Sequence, residues 1–245
     1  MSVRLDQLLI ARGLFDSRAQ ARAAIEAGGV TVAGQVVTKP AARVAEDAVI
    51  EAEAAHPFVG RGALKLDHAL TLWPIVVEGR SVLDVGASTG GFTEVCLIRG
   101  AARVYAVDVG HGQLHDRIAA NPRVVVLERT DARDLTADQI EPAPELIVCD
   151  ASFISLLKVL PVPLSLAAPG ADLVALVKPQ FEADGPRDVG RGGLVRDPEA
   201  RQAALARVSA GLEALGWAVQ ASAESPVTGG DGNVEYLLWA KGPPN

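Results

Sequence analysis

The spacing of apolar residues changes along the chain. In the first 50 residues they recur at helical spacing or in short runs, whereas from Ser81 onward longer aliphatic runs alternate with helical segments. Continuous apolar strands separated by helices are typical of a parallel sheet that is covered on both faces. The pattern therefore predicts a small N-terminal domain followed by an α/β domain with a doubly wound sheet.

The N-terminal part predicts two short helices and a small sheet. Leu5, Leu8 and Leu9 form one face of a helix that ends near Gly13. Ser17 begins a capping box, and the helix that follows runs to about residue 27. The remaining features are a hairpin over residues 30–37 with its turn at 33–34, a strand at 48–50 and a linker at 51–57.

The larger part alternates strands with helices. Strands are predicted at residues 82–85, 103–107, 124–127, 146–149, 173–177, 217–221 and 234–240. Helices are predicted at residues 61–72, at 91–98, near Gln113 and from Asp197, which caps a helix with Pro198 at its first position. Residues 179–195 are polar and rich in glycine, and they predict a loop. We place the domain boundary between residues 57 and 58.

Composition adds a charge asymmetry to this picture. Hydrophobic residues make up 49% of the chain and charged residues 22%, as expected for a packed core. The net charge of −7 argues against a grip on nucleic acid by the whole surface. Residues 1–43, however, carry six basic side chains and three acidic ones. This local excess indicates a nucleic-acid contact in the N-terminal domain, with a solvated helix face as the alternative.

Metal and targeting signals are missing from the sequence. Its two cysteines, Cys96 and Cys149, fall in a predicted helix and a predicted strand, without the spacing of a metal site. We expect two buried thiols in a reducing compartment and no metal ion. Charges interrupt the apolar runs of the N-terminus, and no stretch approaches the ~20 apolar residues of a membrane helix. These features predict a cytoplasmic protein that does not enter the membrane.

A glycine-rich turn follows the first strand of the larger domain. The segment Asp84-Val-Gly-Ala-Ser-Thr-Gly-Gly-Phe92 has glycines at 86, 90 and 91, where the backbone can approach a ligand closely. Its spacing is neither that of the Walker phosphate loop nor that of the dinucleotide motif. A carboxylate at Asp84 would repel a pyrophosphate, but it suits the ammonium group of a methionine moiety. The turn therefore favours S-adenosylmethionine, with a generic strand-to-helix turn as the alternative.

Two further acids follow the next strands. Asp108 ends a strand about twenty residues after the glycine turn, where a carboxylate can bind the two hydroxyls of a ribose. A cap of the following helix is the alternative for Asp108. Asp131 comes after the third strand, where a side chain can meet an adenine edge. Both positions agree with an adenosine-containing cofactor.

Four charged residues occupy positions that favour apolar side chains. Asp150 and Lys178 each close an apolar strand, Glu235 interrupts another, and Lys65 lies in an early helix. In doubly wound sheets ligands bind beyond the carboxyl ends of the strands, so we expect Asp150 and Lys178 in the same crevice as Gly86. Because a single buried charge is costly, the four are expected to pair. A purely structural ion-pair network is the alternative.

Taken together, these motifs resemble a known family. The glycine turn, Asp150 and the segment Lys178-Pro-Gln-Phe-Glu182 are similar to the FtsJ-like ribosomal RNA 2′-O-methyltransferase fold, whose members use a Lys-Asp-Lys-Glu tetrad. The stretches Arg4-Leu-Asp-Gln-Leu-Leu9, Ser17-Arg-Ala-Gln-Ala21 and Val30-Thr-Val-Ala-Gly34 resemble the S4 RNA-binding domain. Both in this order resemble the TlyA family of ribosomal RNA cytidine 2′-O-methyltransferases, also called haemolysin A, over nearly the whole chain.

The resemblance implies a Rossmann-like S-adenosylmethionine methyltransferase domain over residues 58–245, preceded by an S4-type RNA-binding domain and linker over residues 1–57. The implied catalytic tetrad is Lys65, Asp150, Lys178 and Glu235. The implied cofactor-binding residues are Asp84, Gly86, Ala87, Ser88, Gly90, Gly91, Phe92, Asp108, Asp131 and Asp150. The implied RNA-binding residues are Arg4, Arg12, Arg18, Arg22, Lys39 and Arg61. Asp131 stands where the family usually has Asn.

The implied reaction moves a methyl group from S-adenosylmethionine to the 2′-hydroxyl of a cytidine in 23S ribosomal RNA, with 16S ribosomal RNA left open as a further substrate. Lys178 would accept the hydroxyl proton, and Asp150 would orient it. Lys65 and desolvation would favour the neutral amine of Lys178, and Glu235 would hold Lys65 or the ribose. The expected partners are ribosomal RNA or ribosomal subunits. The oligomeric state stays open, with a monomer expected.

Two other function classes stay open. One is a membrane-active haemolysin, against which the missing signal peptide and spanning segment argue. The other is a ribosome-assembly factor that keeps the fold and binds RNA without catalysis, against which the four tetrad residues argue. S4 domains also precede pseudouridine synthases, but the glycine turn and the tetrad do not fit such an enzyme.

Overall fold

The computed structural model describes residues 2–183 and 189–244. It divides into two compact units, Met1–Arg61 and Gly62–Asn245. Each unit folds around its own hydrophobic core. Among the described residues, no helix combines the length and the apolar character needed to cross a membrane.

The first unit is built from short elements. In chain order they are β1 (Ser2–Arg4), α1 (Leu5–Ala11), α2 (Arg18–Glu26), β2 (Val30–Val32), β3 (Gln35–Val36), β4 (Arg43–Ala45) and β5 (Ile50–Ala52). β1 pairs with β4, and β2 lies between β3 and β5. Leu5, Ile25 and Val30 pack into a small core against which further apolar residues lie. Ser17 caps α2 as predicted, because its side chain accepts a hydrogen bond from the Gln20 amide at 3.2 Å.

Two predictions for this unit are wrong. The third strand is Ile50–Ala52 rather than residues 48–50, so the linker does not begin at residue 51. β5 pairs Ile50 with Val32 of β2, and Ile50 packs against the core, whereas Val49 is 74% exposed. Since side chains alternate along a strand, the register decides which of two neighbouring apolar residues is buried.

The second unit is an α/β domain. Its elements are α3 (Ala63–Leu72), β6 (Ser81–Val85), α4 (Gly91–Ile98), β7 (Arg103–Asp108), α5 (Asp116–Ala119), β8 (Val124–Glu128), β9 (Leu146–Cys149), α6 (Leu156–Val159), α7 (Pro161–Ser165), β10 (Asp172–Val177), α8 (Pro179–Glu182), α9 (Pro198–Ala214), β11 (Ala218–Glu224) and β12 (Tyr236–Lys241). Within the described residues, seven strands form one sheet in the order β11-β12-β10-β9-β6-β7-β8. β12 is antiparallel to both of its neighbours, and the other pairs are parallel. The predicted Rossmann-like α/β fold is confirmed.

The helix predicted near Gln113 is present, but it starts later than Gln113. α5 begins only at Asp116, after His115 has capped it by accepting a hydrogen bond from the Arg117 amide. The preceding residues form a turn whose backbone amides donate to the carboxylate of Glu128. A side chain from the end of β8 therefore takes the amide groups that a helix would have used.

Two further boundaries differ from prediction. Residues 179–195 do not form one continuous loop, because α8 begins at Pro179 and a 3-10 turn spans Arg191–Gly193. Residues 184–188 of the predicted loop lie outside the described residues. β12 begins at Tyr236 rather than at residue 234, so Glu235 precedes the strand instead of interrupting it.

Candidate active site

The carboxyl edge of the large sheet brings the predicted tetrad together. The last residues of β6 and β9 face each other, so Gly86 and Asp150 leave the sheet side by side. The last residue of β10 faces the first residue of antiparallel β12, so Lys178 and Glu235 are also neighbours. Doubly wound folds bind their ligands at this edge.

Glycine is required at two positions of the turn after β6. Gly86 has φ +83°, and a Cβ there would lie 3.0 Å from the Ala151 Cα. Gly90 has φ +92°, and a Cβ there would lie 2.8 Å from Leu114 Cδ1. The left-handed conformation also disfavours any residue with a side chain. The turn therefore presents bare backbone beside the sheet edge.

A cleft of about 540 Å³ opens next to this turn. The predicted cofactor residues that line it are Gly86, Ser88, Asp108, Asp131 and Asp150. The predicted cofactor residues that lie buried behind this lining are Asp84, Ala87, Gly90, Gly91 and Phe92. The structure thus divides the predicted residues into a group that faces the cleft and a group that supports it.

Two of the three acids that face the cleft, Asp108 and Asp131, are already hydrogen-bonded within the chain. Asp108 accepts from the Ser88 amide at 2.8 Å and from the Gly110 amide at 2.7 Å. Asp131 accepts from the Arg133 amide at 2.9 Å and pairs with the guanidinium of the same residue at 2.6 Å. These hydrogen bonds from Arg133 lower the pKa of Asp131. Both carboxylates therefore have fixed orientations at the cleft.

Asp84 lies beneath the glycine turn rather than in the cleft. Its carboxyl group is fully buried, and this burial raises its pKa to about 7. Thr93 Oγ1 donates to Oδ2 at 2.6 Å, while Oδ1 has no hydrogen-bond partner among the described residues. Because a buried oxygen without a donor is costly, a cationic group that reaches this turn would be stabilised. The ammonium group of a methionine moiety fits that requirement.

Lys178 is only 6% exposed, and its ammonium group points at the end of β9. Nζ lies 2.7 Å from Asp150 Oδ1, at ion-pair distance but without hydrogen-bond geometry. It donates to the Asp150 main-chain oxygen at 3.1 Å and to Ser152 Oγ at 2.6 Å. The charge of the carboxylate and the two hydrogen bonds together fix the direction of the lysine side chain.

Lys65 and Glu235 form the second pair of the tetrad. Lys65 Nζ donates to Glu235 Oε2 at 2.5 Å, and both side chains are almost fully buried. Gly62, one turn before Lys65, is so close to the first pair that a Cβ there would lie 3.3 Å from Asp150 Oδ2. The predicted pairing of the four charges is therefore present as two ion pairs at one edge of the sheet, with only the Asp150 side chain partly exposed.

Sequence reasoning missed several residues of this site. Ser152 accepts a hydrogen bond from the Lys178 ammonium. Phe153 is 91% exposed, and its backbone is in the left-handed conformation with φ +66°. The Phe153 ring lies 5.4 Å from that of Phe181 in α8. Their positions directly after Asp150 and after Lys178 were the available signal. Buried Asn233 was also missed; it accepts from the Val195 amide at 2.9 Å and anchors the approach to Glu235.

The predicted RNA-binding residues differ in how many hydrogen bonds and ion pairs they form within the first unit. Arg4 and Arg18 both pair with the buried carboxylate of Asp6, at 2.9 and 3.0 Å. Hydrogen bonds from Arg4 and then Arg18 lower the pKa of Asp6 to about 2. Arg12 donates to the carbonyl oxygens of Glu46 and Ala48 and so stabilises its own unit.

The other three predicted RNA-binding residues lie on the surface of the first unit. Arg22 pairs with Glu26 one turn along α2, at 3.4 Å. Lys39 and Arg61 are exposed. Exposed basic side chains of this kind are available to an anionic partner.

The fold and the cleft define a class of protein. A mostly parallel sheet with a glycine turn after β6, an acid at the end of β7 and a cleft at its carboxyl edge is the architecture of a Rossmann-like methyltransferase. Residues 58–242 match the FtsJ-like methyltransferase family, and residues 3–50 match the S4 domain. The chain belongs to the FtsJ-like methyltransferase family and, within it, to the TlyA group that carries an S4 domain.

Individual relatives agree with this assignment. The 16S/23S rRNA (cytidine-2′-O)-methyltransferase TlyA of Mycobacterium tuberculosis is 48% identical over 97% of this chain and 89% of the relative. Hemolysin A of Brachyspira hyodysenteriae is 38% identical over 96% of this chain and 98% of the relative. A solved Streptococcus thermophilus structure with a provisional hemolysin name is 37% identical, with a TM-score of 0.78 over 100% of this chain and 90% of that one. The family predicted from sequence is thereby confirmed.

Proposed function

We propose that this methyltransferase transfers a methyl group from S-adenosylmethionine to the 2′-hydroxyl of a cytidine in ribosomal RNA. The observation that carries the proposal is the set of two ion pairs with buried lysines, Lys178–Asp150 and Lys65–Glu235, at the cofactor edge of the sheet. The Mycobacterium tuberculosis relative is named for cytidine 2′-O-methylation of 16S and 23S rRNA. We infer 23S rRNA as a substrate of this chain, with 16S rRNA as a further candidate.

The cleft has the features that S-adenosylmethionine needs. Bound there, the cofactor supplies an electrophilic methyl group on its sulfonium. We assign the ribose hydroxyls to Asp108, the adenine edge to Asp131 and the methionine ammonium to the region of Asp84. The fit rests on the bare backbone at Gly86, on the unpartnered Asp84 oxygen and on the cleft itself.

The chain's own contribution to catalysis is to hold the nucleophile and remove its proton. We assign proton acceptance to Lys178 Nζ, which must first be neutral. The Asp150 carboxylate at 2.7 Å favours the charged form, so its role is to position Lys178. We propose that the incoming 2′-hydroxyl takes the place of Ser152 Oγ beside Nζ and donates to it. Ser152 is exposed and can give way, whereas Asp150 lies at the sheet edge.

Lys65 has a smaller electrostatic role in this proposal than the sequence suggested. Its charge is paired with Glu235 at 2.5 Å, which offsets most of the repulsion it would exert on Lys178. Lys65 and Glu235 therefore serve to place the ribose beside the lysine that accepts its proton. Correct placement alone can remove several kcal/mol of the barrier.

RNA delivery is assigned to the first unit. We propose that residues 1–57 are the RNA-binding domain and linker, that residues 58–245 are the catalytic domain, and that Arg4 and Arg18 meet phosphates. The exposed ring of Phe153 at the cleft suits a target base that has been taken out of its stack. No observation on the described residues favours a lytic or a purely structural role over this one.

The test is methyl transfer to purified large and small ribosomal subunits that lack the modification. Tritiated S-adenosylmethionine and the full chain should label 23S rRNA, and mapping should place the label on the ribose of a cytidine. Lys178→Ala should lower the label by at least about a hundredfold. Label on a base, or no transfer by wild-type protein to either subunit, would refute the proposal.

A further inference from the structure

The turn between β7 and α5 forms one wall of the cleft, although it has no regular secondary structure. Val109, Gly110 and Gln113 of this turn line the cleft, next to Asp108. We call residues 110–114 the adenosine wall, because Asp108, two residues before it, is the residue assigned to the cofactor ribose. Because the backbone of this segment lacks the hydrogen bonds of a helix or a sheet, other hydrogen bonds must make it rigid.

Glu128, at the end of the neighbouring strand β8, supplies that rigidity. Its Oε2 accepts from the Gly112 amide at 2.7 Å, and its Oε1 accepts from the amides of Gln113 at 2.9 Å and Leu114 at 3.2 Å. His111 Nδ1 lies 3.2 Å from Oε2. Successive amides that point one way form an anion-binding nest, and here the chain's own carboxylate fills it. These hydrogen bonds from backbone amides lower the pKa of Glu128 to about 2.

The order imposed by Glu128 extends to the cofactor residues. The Gly110 amide donates to Asp108 Oδ1 at 2.7 Å, and the Gly110 carbonyl accepts from the Arg129 amide at 2.9 Å. The Gln113 side chain folds over Gly110 so closely that a Cβ on this glycine would lie 2.3 Å from Gln113 Nε2. A shift of the wall would therefore displace both the Asp108 carboxylate and the Gln113 amide.

The same wall supports the glycine turn. Leu114, the last residue bonded to Glu128, packs on Gly90, where a Cβ would lie 2.8 Å from Leu114 Cδ1. The His115 amide donates to the Thr89 carbonyl at 3.2 Å. Glu128 thus lies behind the wall, and its effect reaches both the ribose acid and the backbone of the glycine turn.

We propose that Glu128 is a positioning residue for the cofactor, which holds residues 110–114 as a preformed wall for the adenosine half of S-adenosylmethionine. The proposal rests on the proposed function, because it takes S-adenosylmethionine as the occupant of the cleft. Glu128 acts through backbone amides and not on the reacting atoms. It should therefore affect cofactor affinity rather than the rate of the bound complex.

Calorimetry on the full chain tests this with two probes, S-adenosylhomocysteine and 5′-methylthioadenosine, which lacks the amino-acid half. Glu128→Gln should weaken both by about tenfold, because the single, uncharged oxygen of the Gln amide cannot accept from all three backbone amides. In methyl transfer the KM for S-adenosylmethionine should rise while kcat stays near that of the wild type. The control is Glu145→Gln, which removes a carboxylate that accepts the Ser81 amide at 3.3 Å at the opposite end of β6.

Wild-type protein gives a second test that does not depend on a folded variant. Hydrogen exchange should show the amides of residues 112–114 protected before any nucleoside is added. Exchange that slows only on adding S-adenosylhomocysteine would overturn a preformed wall. Unchanged affinity of Glu128→Gln for both probes, or a loss confined to S-adenosylhomocysteine, would overturn it as well. Wild-type protein that binds neither probe would instead refute the proposed function and this inference together.

Discussion

Two ion-pair clusters, one from each unit, arrange acids and bases in opposite ways. In the first, the fully buried carboxylate of Asp6 holds Arg4 and Arg18, whose side chains are 37% and 54% exposed. In the second, both partners are buried: Lys65 and Glu235 are 8% and 3% exposed. One arrangement presents charge to solvent, and the other removes it from solvent.

The difference separates two functions that both need a cation. A guanidinium stays charged at any physiological pH, and an exposed one can exchange water for a phosphate at little cost. A lysine can lose its proton when it is desolvated, and a buried one is held in a fixed direction by its partners. The exposed arginines Arg4 and Arg18 therefore suit RNA binding. The buried lysines Lys65 and Lys178, each held by an acid, suit chemistry at a ribose.

The largest expected effect is on methyl transfer when the buried lysine Lys178 is replaced. Lys178→Ala should lower methyl transfer by about a hundredfold to ten-thousandfold, the range for a lost general base, and leave cofactor affinity almost unchanged. Lys178→Arg should be equally inactive, because a guanidinium does not deprotonate in this range. Exposed Lys158→Ala is the matched control. Near-normal transfer by Lys178→Arg would make Lys178 an electrostatic clamp and move the base elsewhere.

The next effect concerns the cofactor. Asp108→Ala removes the proposed ribose ligand and also frees the Ser88 and Gly110 amides. Binding of S-adenosylmethionine should weaken by more than about tenfold, since a bond to a charged group is lost. Calorimetry measures this, with exposed Asp138→Ala as the control. An affinity equal to that of the wild type would remove Asp108 from the cofactor site.

A smaller effect is expected on RNA binding when the exposed arginine Arg18 is replaced. Arg18→Ala should weaken binding to ribosomal RNA uniformly, reduce the salt slope of binding by about 1 and leave cofactor affinity unchanged. Arg12→Ala should instead lower the melting temperature of the first unit, because Arg12 donates to Glu46 and Ala48. Titrations with RNA at several salt concentrations measure the salt slope for each variant, and thermal melting measures the stability of each variant. If Arg18→Ala left the salt slope at its wild-type value, Arg18 would not contact phosphate.

The smallest effect is a difference in pH dependence between two of the buried acids, Asp6 and Asp84. The pKa of Asp6 is lowered to about 2, so Asp6 stabilises the fold above its unfolded pKa of about 4, and this is lost as pH falls through about 2. The pKa of Asp84 is raised to about 7, so its contribution is present below about 4 and is lost as pH rises through about 7.

Calorimetric melting from acid to neutral pH checks both carboxyl groups. Asp84→Asn should flatten the fall in melting temperature between about pH 4 and 7. Asp6→Asn should flatten the acid limb alone. A profile of Asp84→Asn that runs parallel to the wild type would mean that burial does not raise the pKa of Asp84 as described.

Local patterns in the sequence determined much of this molecule. The apolar runs predicted the strands of the large sheet, and Ser17 and Asp197 predicted the helix caps that the structure contains. The glycine turn and the charges that close strands identified the candidate site, because parallel strands end at one edge whatever their order. Such signals need only neighbouring residues, so they are readable without a fold.

Only the tertiary structure decided which charges pair and what holds the cleft. Lys65 and Glu235 are 170 positions apart, and their contact follows from the antiparallel register of β12 on β10 and from the place of α3. Glu128 looks like an ordinary strand-terminal acid in the sequence, yet it binds three amides of a turn. Sequence periodicity encodes which face of an element is buried, but partners across the sheet depend on strand order and register, which local patterns do not specify.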